Sequence, residues 1–331
     1  MSASIETSFT SLMKIRLPII VAPMFLVSNE HMLVSAAENG AIGVVPSLNY
    51  RPSSKFAEAL KNIRARTQKP FGVNLIVQKT NPYVKEHLKL SLDAGTPFFI
   101  TSLGNPKEVI TEAHKIGAKV FCDVVGSEHA KKAVDLGADG LIAVSSGAGG
   151  HAGPITASIL IPLLKKKFKV PVIAAGGVAD GAGLASMLAL GADGVSVGTR
   201  FIASNESPVH EDYKNAILES GAEDIVMTKK ISGTPCSVIN TPYVQKMGLE
   251  QNWFEGMLSK NSKLKKYVKM LIQFRGMKFL EAAAFNSTYK SLWCAGQTVE
   301  LVNEIKSIQS ILEDFAKEYE SAVKALPRLS S

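Results

Sequence analysis

The sequence predicts an α/β protein in which a closed (β/α)8 TIM barrel is followed by a mixed, mainly helical extension. Eight short apolar runs recur between Pro18 and Phe201, with helical stretches between them. Most runs are continuous rather than alternating, which is typical of parallel strands buried on both faces. Spacings of about 20 to 30 residues, or twice that, match βα units. Eight near-equal units favour a closed barrel over an open, doubly wound sheet.

The eight predicted strands are PIIVAPM (18–24), AIGVVPS (41–47), FGVNLI (71–76), FFITSLG (98–104), KVFCDVV (119–125), GLIAVSS (140–146), VPVIAAGG (170–177) and GVSVGTRF (194–201). A glycine followed by alanine precedes several of them, at Gly40, Gly117, Gly137 and Gly191. Glycine just past a helix end adopts the left-handed conformation that caps the helix, so these positions predict helix ends. The last barrel helix is predicted over residues 210–222, with Gly221 as its cap.

The predicted boundary separates a barrel of residues 1–222 from an extension of residues 223–331. The extension begins with an extended segment (224–246), continues with a basic helical stretch (257–284) and ends in an amphipathic helix over residues 299–325. It is long enough to cap one barrel mouth, with the final helix packing back on the barrel. Its aromatic residues suit closure over the site or a subunit contact, which leaves a homodimer open; they are Trp253, Phe254, Phe274 and Trp293.

Composition excludes several classes of function. The net charge of +8 is dispersed, and the tight basic run at 163–169 reads as a solvated helix end, so no nucleic-acid partner is expected. The apolar run at 14–27 contains Pro18 and Pro23 and is too short to span a bilayer, which predicts a buried strand and no membrane association. Three cysteines without metal-ligand spacing favour a reducing cytoplasm.

The loops after the seventh and eighth predicted strands carry the features of a phosphate site. Active sites of (β/α)8 barrels lie at the C-terminal ends of the strands, and these two loops often bind phosphate. Gly176 and Gly177 expose backbone N–H groups after Ala175, and the next helix is predicted to begin near Asp180, where its N-terminus favours an anion. Tight turns are the alternative role for the glycines. Arg200 either adds charge there or forms a salt bridge to the barrel wall.

Other strand ends on the same rim are polar. Asn74 and Asp123 are placed to contact ring heteroatoms, although ordinary hydrogen bonding at a strand end is the alternative for each. In VSSGAGGHAGP (144–154), His151 follows the sixth strand and is the only histidine at a predicted C-terminal strand end. Imidazole titrates near neutrality, so His151 is a candidate general base or hydrogen-bond donor, with a structural role as the alternative. No zinc site or cysteine nucleophile is expected.

Together these motifs resemble the nitronate monooxygenase family, formerly 2-nitropropane dioxygenases, which are FMN-dependent (β/α)8 enzymes. The matching pieces are PIIVAPM, GVNLI, CDVVGS, AGGHAG, PVIAAGGVADG, LALGADGVSVGTRF, ISGTP and CAGQ. The resemblance implies that the FMN phosphate lies on Gly176, Gly177, Gly198 and Thr199, next to Ala175. It implies that the ring lies beside Ala22, Pro23, Met24 and Asn74, with its edge along Asp123, Ser146, Gly147, Gly149 and Gly150.

In this resemblance His151 matches the family's active-site histidine. It would bind the nitro oxygens of a nitronate, or take the proton from the carbon of a neutral nitroalkane. The nitronate is then oxidised with O2 to a carbonyl compound and nitrite, by chemistry that belongs to the flavin.

Two departures from the family pattern concern the substrate. Gly147 stands where many relatives have an acidic residue, and Phe25, Leu26 and Val27 stand where many have small residues. The alternatives are an NAD(P)H-dependent FMN reductase of the enoyl-ACP reductase or quinone reductase type, and an accessory flavoprotein of a lipid or polyketide synthesis complex. An enzyme resembling IMP dehydrogenase would need a cysteine after the sixth strand, where this chain has none.

Overall fold

The computed structural model describes residues 4–230, 234–250 and 292–327. The strands in this part of the chain are β1 (Ile19–Val21), β2 (Ile42–Pro46), β3 (Gly72–Ile76), β4 (Phe98–Ser102), β5 (Lys119–Val124), β6 (Gly140–Val144), β7 (Gly150–His151), β8 (Val172–Ala175), β9 (Gly194–Val197), β10 (Ile225–Thr228) and β11 (Cys236–Ile239). Eight of them form a closed parallel barrel in the order β1-β2-β3-β4-β5-β6-β8-β9. β9 closes it by pairing with β1, with Ile19 opposite Val195. The predicted (β/α)8 barrel is confirmed.

The described helices are α1 (Ser8–Met13), α2 (Glu30–Glu38), α3 (Ser53–Arg66), α4 (Val84–Asp93), α5 (Lys107–Lys115), α6 (Ser127–Asp135), α7 (Ala157–Lys167), α8 (Gly181–Ala189), α9 (Thr199–Ile202), α10 (Glu211–Glu219), α11 (Pro242–Met247) and α12 (Ile308–Ala325). The four predicted capping glycines all have positive φ. The predicted role of Gly221 is wrong. Its φ is −89°, α10 ends at Glu219 with Ser220 as its C-cap, and the Gly221 N–H donates to the Asp224 carboxylate at the start of a short 3-10 turn.

The barrel interior is closed at one end by α1. Phe9 on this helix packs against Phe98 and Phe121, with ring centroids 6.2 and 5.7 Å away. A Cβ built on Gly194, the first residue of β9, would lie 3.1 Å from the Phe9 ring, which puts α1 at the N-terminal ends of the strands. The apolar run at 14–27 is therefore a barrel strand with its flanking turns. The opposite rim, where the strands end, is left for chemistry.

The extension forms a second, smaller sheet. β11 lies between β10 on one edge and β7 on the other, and both neighbours are antiparallel to it. Cys294 extends the β7 edge through a bridge to Val238. The short strand β7 comes from the loop that carries His151, so the extension pairs directly with that loop.

The final helix starts later than the sequence pattern predicts. Residues 297–301 form a 3-10 turn, Lys306 pairs with Ser204, and α12 begins at Ile308 after the N-cap Ser307. Val299 and Val302 are buried although they lie before the helix. Their apolar side chains therefore extended the amphipathic pattern and predicted a helix start that was too early.

α12 packs on α8, where a Cβ on Gly181 would lie 2.2 Å from the Tyr319 nitrogen. The predicted helical stretch 257–284 and the aromatics Trp253, Phe254 and Phe274 lie outside the described residues. Within the described ranges, no helix is both long and apolar enough to cross a membrane.

Candidate active site

The loop after β1 is fixed by two polar side chains. The Ser28 hydroxyl donates to the Ala22 carbonyl at 2.7 Å and accepts from the Met24 N–H at 2.9 Å. Asn49 accepts from the Leu26 N–H at 2.8 Å and donates to the Ser28 carbonyl at 2.8 Å. Leu26 is left-handed, with φ of 64°, a conformation that non-glycine residues rarely adopt. Ser28 and Asn49 thus hold the predicted ring-side segment, residues 22–24, in one conformation.

Three polar side chains form a chain across β3, β4 and β5. The Asn74 amide donates to the Ser102 hydroxyl at 2.8 Å and to the Ile100 carbonyl at 3.2 Å. The Ser102 hydroxyl donates to the Asp123 carboxylate at 2.5 Å. Burial raises the pKa of Asp123 to about 6, against the lowering effect of the Ser102 hydrogen bond. Both amide hydrogens of Asn74 are used in the barrel wall, so its oxygen remains as the acceptor it can offer a ligand.

The loops after β8 and β9 bring glycines together on the rim. Gly176 and Gly177 have φ of 100° and 80°, which the sharp turn after β8 requires. Gly198 is the N-cap of α9, and its missing side chain leaves room for Met24, whose sulfur would lie 3.3 Å from a Cβ there. The first N–H groups of α9, starting at Thr199, have no partner within the helix.

These loops offer uncharged backbone donors and a positive helix end, which are the features that a bound phosphate group requires. Two groups predicted there are engaged elsewhere. The Gly177 N–H donates to the Gly147 carbonyl at 3.1 Å. The buried Arg200 guanidinium donates to the carbonyls of Ala203 and Glu304, so it is held in the barrel wall.

The glycine-rich loop after β6 packs backbone against backbone. A Cβ on Gly147 would lie 3.0 Å from the Gly177 nitrogen, and a Cβ on Gly149 would lie 2.7 Å from the Gly296 nitrogen. A Cβ on Gly176 would lie 2.3 Å from the Ala148 nitrogen. Each missing side chain therefore allows a contact within the protein. Ser146, at the start of the loop, is tied by its N–H to the Ile155 carbonyl at 2.9 Å.

His151 lies at the end of this loop on β7, directly opposite Cys236 of β11, and its side chain is exposed. Residues 292–296 share the same edge of β11 and are anchored to the barrel at three points. The Tyr213 hydroxyl donates to the Cys294 carbonyl at 2.6 Å, and its ring stacks on Trp293 with centroids 5.5 Å apart. The Gly296 N–H donates to the Thr199 hydroxyl at 3.0 Å. The extension therefore connects the histidine loop to the end of β9.

The sequence interpretation missed four residues that shape this rim: Ser28, Asn49, Ser102 and Gly296. Two of them carried a usable signal: Ser102 ends β4, between the strands that bear Asn74 and Asp123, and Gly296 lies in the CAGQ motif. Within the described ranges, no group of three or more His, Cys, Asp or Glu residues could hold a metal ion.

The chain is similar to several known proteins along most of its length. The structure of FabK from Thermotoga maritima superposes with a TM-score of 0.85 at 30% identity, over 97% of this chain and 98% of that one. A Rhodococcus jostii protein named (3aS,4S,5R,7aS)-5-hydroxy-7a-methyl-1-oxo-octahydro-1H-indene-4-carboxyl-CoA dehydrogenase is 26% identical, over 99% of both chains. A probable nitronate monooxygenase of Staphylococcus saprophyticus is 28% identical, over 73% of this chain and 81% of its own length.

The barrel and these relatives define the class of protein, which is a flavin-dependent oxidoreductase. The nitronate monooxygenase family model matches residues 6–318. The chain therefore belongs to the nitronate monooxygenase family, as its motifs indicated.

Proposed function

We propose that the protein binds FMN on the C-terminal rim of its barrel and oxidises alkyl nitronates, or the parent nitroalkanes, with O2 to a carbonyl compound and nitrite. The observation that carries this proposal is the position of His151. It lies at the exposed end of a loop that packs on Gly176 and Gly177 of one predicted phosphate loop and on Gly296 of the extension, which in turn bonds to Thr199 of the other.

The predicted FMN site divides between two sets of residues. The phosphate would rest on the turn containing Ala175, Gly176 and Gly177 and on the Gly198–Thr199 turn. The ring would lie beside Ala22, Pro23, Met24 and Asn74, with Asp123, Ser146, Gly147, Gly149 and Gly150 along its edge. The chemistry supplied by bound FMN is electron transfer from the nitronate and onward to O2.

The chain's own part in the reaction is to position the substrate and move a proton. In its neutral form, the His151 imidazole takes the proton from the carbon next to the nitro group of a nitroalkane. For an anionic nitronate, the same ring donates a hydrogen bond to a nitro oxygen. The rigid Asn74–Ser102–Asp123 chain fixes the polar wall of the ring site, so little reorganisation is needed when the ligand binds.

A second candidate function is the NAD(P)H-dependent reduction of an acyl thioester. FabK, an enoyl reductase that matches nearly the whole chain, favours it, and the carboxyl-CoA dehydrogenase, which also matches nearly the whole chain, is named for a CoA thioester. The probable nitronate monooxygenase covers a smaller share of the chain.

Anaerobic rapid mixing separates the two functions. Holoprotein is mixed with propionate 3-nitronate in one experiment and with NADH or NADPH in another, and the flavin absorbance near about 450 nm is followed, as for any flavin chromophore. We expect the nitronate to reduce the flavin, and so to lower its absorbance, within the time of one turnover. Bleaching only by the nicotinamide would replace the first function with the second. A colourless protein that takes up no FMN would contradict both.

A further inference from the structure

Two of the three cysteines of the chain meet beside the histidine loop, far apart in sequence. The sulfur atoms of Cys236 and Cys294 lie 3.8 Å apart, close to van der Waals contact. Cys236 is buried at 2% exposure, whereas Cys294 is partly exposed. The third cysteine, Cys122, is buried on β5, where its sulfur accepts a hydrogen bond from the Thr101 hydroxyl, so it is not part of this pair.

The strand register explains why the two sulfurs meet. Cys294 lies opposite Val238, and Cys236 lies two residues before Val238 on the same face of β11. The two cysteines are therefore diagonal neighbours on adjacent strands, within reach of each other. Cys236 is also the cross-strand partner of His151. His151 and Cys294 therefore both lie along the same edge of β11, next to Cys236.

We infer that Cys236 and Cys294 form a reversible disulfide that responds to peroxide and stiffens the loop carrying His151. The Cys294 thiolate attacks H2O2, breaking the O–O bond to give a sulfenic acid and hydroxide. The Cys236 thiol then attacks the Cys294 sulfur and releases water. In sum, two thiols and one peroxide give one disulfide and two waters.

The local chemistry assigns different roles to the two thiols. The hydrogen bond from Cys236 lowers the pKa of Cys294 and raises that of Cys236, to which burial adds. The more exposed thiol is thus the better thiolate, and the buried thiol is the resolving one. Burial raises the pKa of Cys122 to about 11, which keeps it a poor nucleophile. In the reducing cytoplasm predicted from the composition, such a bond is transient rather than structural.

Formation of the disulfide is expected to affect the glycine-rich loop, because the segment that carries Cys294 packs closely against the backbone of that loop. A disulfide brings the sulfurs from 3.8 Å to about 2.05 Å. The segment that would move ends in Gly296, whose missing Cβ would lie 2.8 Å from the Gly147 carbonyl oxygen. Linking the two strands on this edge reduces the local opening of residues 147–153.

The test uses the full-length holoprotein, one equivalent of H2O2 and a dithiothreitol reversal. We expect the free thiols per chain to fall from three to one, and a peptide containing Cys236 to become linked to one containing Cys294. We also expect amide exchange in residues 147–153 to slow about tenfold, with full reversal by dithiothreitol.

Cys122→Ser serves as the matched control and should fall from two thiols to none. Cys294→Ser should abolish both the link and the change in exchange. A thiol count that stays at three, a link that uses Cys122, or unchanged exchange in the linked protein would each overturn the inference.

Discussion

The barrel and the extension contribute to the rim in different ways. The barrel supplies its groups through strand order, since Asn74, Ser102 and Asp123 lie on the consecutive strands β3, β4 and β5 and their side chains meet as a consequence. The extension acts through its backbone, pairing Cys236 with His151 and packing Gly296 on the histidine loop. The barrel therefore fixes the walls of the site, and the extension fixes the position of the glycine-rich loop that carries His151.

The histidine loop that the extension holds also packs on the turn after β8, and this contact can be broken at Gly176. Both Gly176 and Gly177 have positive φ, so alanine at either position costs about 1 kcal/mol in backbone strain. At Gly176 the new methyl would also lie 2.3 Å from the Ala148 nitrogen, whereas at Gly177 the nearest atom is 3.9 Å away. We expect Gly176→Ala to lower the free energy of unfolding by about 4 kcal/mol and Gly177→Ala by about 1 kcal/mol. Chemical denaturation measures both values, and equal values would contradict the packing role of Gly176.

The barrel wall can be tested through the ionisation of Asp123. Its pKa of about 6 in the folded chain lies above the unfolded value, so its stabilising contribution is present below about pH 4 and is lost as the pH rises through 6. Asp123→Asn removes this dependence. Between pH 4 and pH 8, the stability of the variant should rise relative to wild type by about 3 kcal/mol. Denaturation at both pH values in the flavin-free protein measures it, and parallel pH profiles would refute the raised pKa.

A smaller loss of stability is expected when the hydrogen bonds of Asn49 to the loop after β1 are removed. Asn49→Ala leaves the Leu26 N–H and the Ser28 carbonyl without their partner, which costs about 2 kcal/mol of stability. Because the loop carries Ala22, Pro23 and Met24, FMN affinity measured by flavin fluorescence should fall about tenfold. Asn39→Ala is the matched control, since Asn39 is the C-cap of α2, donates to the Ser35 carbonyl and precedes the N-terminal end of β2, away from the rim. Equal FMN affinity in the two variants would remove the β1 loop from the proposed site.

The parts of this fold that repeat were predictable from the sequence. Buried parallel strands read as apolar runs, and the capping glycines at Gly40, Gly117, Gly137 and Gly191 marked the helix ends. The late start of α12 was not predictable, because Val299 and Val302 are buried outside any α-helix. The pairing of β7 with β11 joins residues 85 positions apart through backbone groups, which leave no side-chain pattern to read. Asn49 was missed for a related reason: an asparagine in a short turn looks the same whether it clamps a distant loop or its own turn.

In the proposed function, the barrel binds the flavin and the loop held by the extension presents His151 to the substrate. His151→Ala tests it most directly, with bound FMN per chain and turnover of a neutral nitroalkane measured on the same preparation, and His151→Gln as the polar control. We predict unchanged FMN content and a loss of turnover of at least about 100-fold, the usual contribution of a general base. Loss of FMN from His151→Ala, or full turnover without the imidazole, would contradict it.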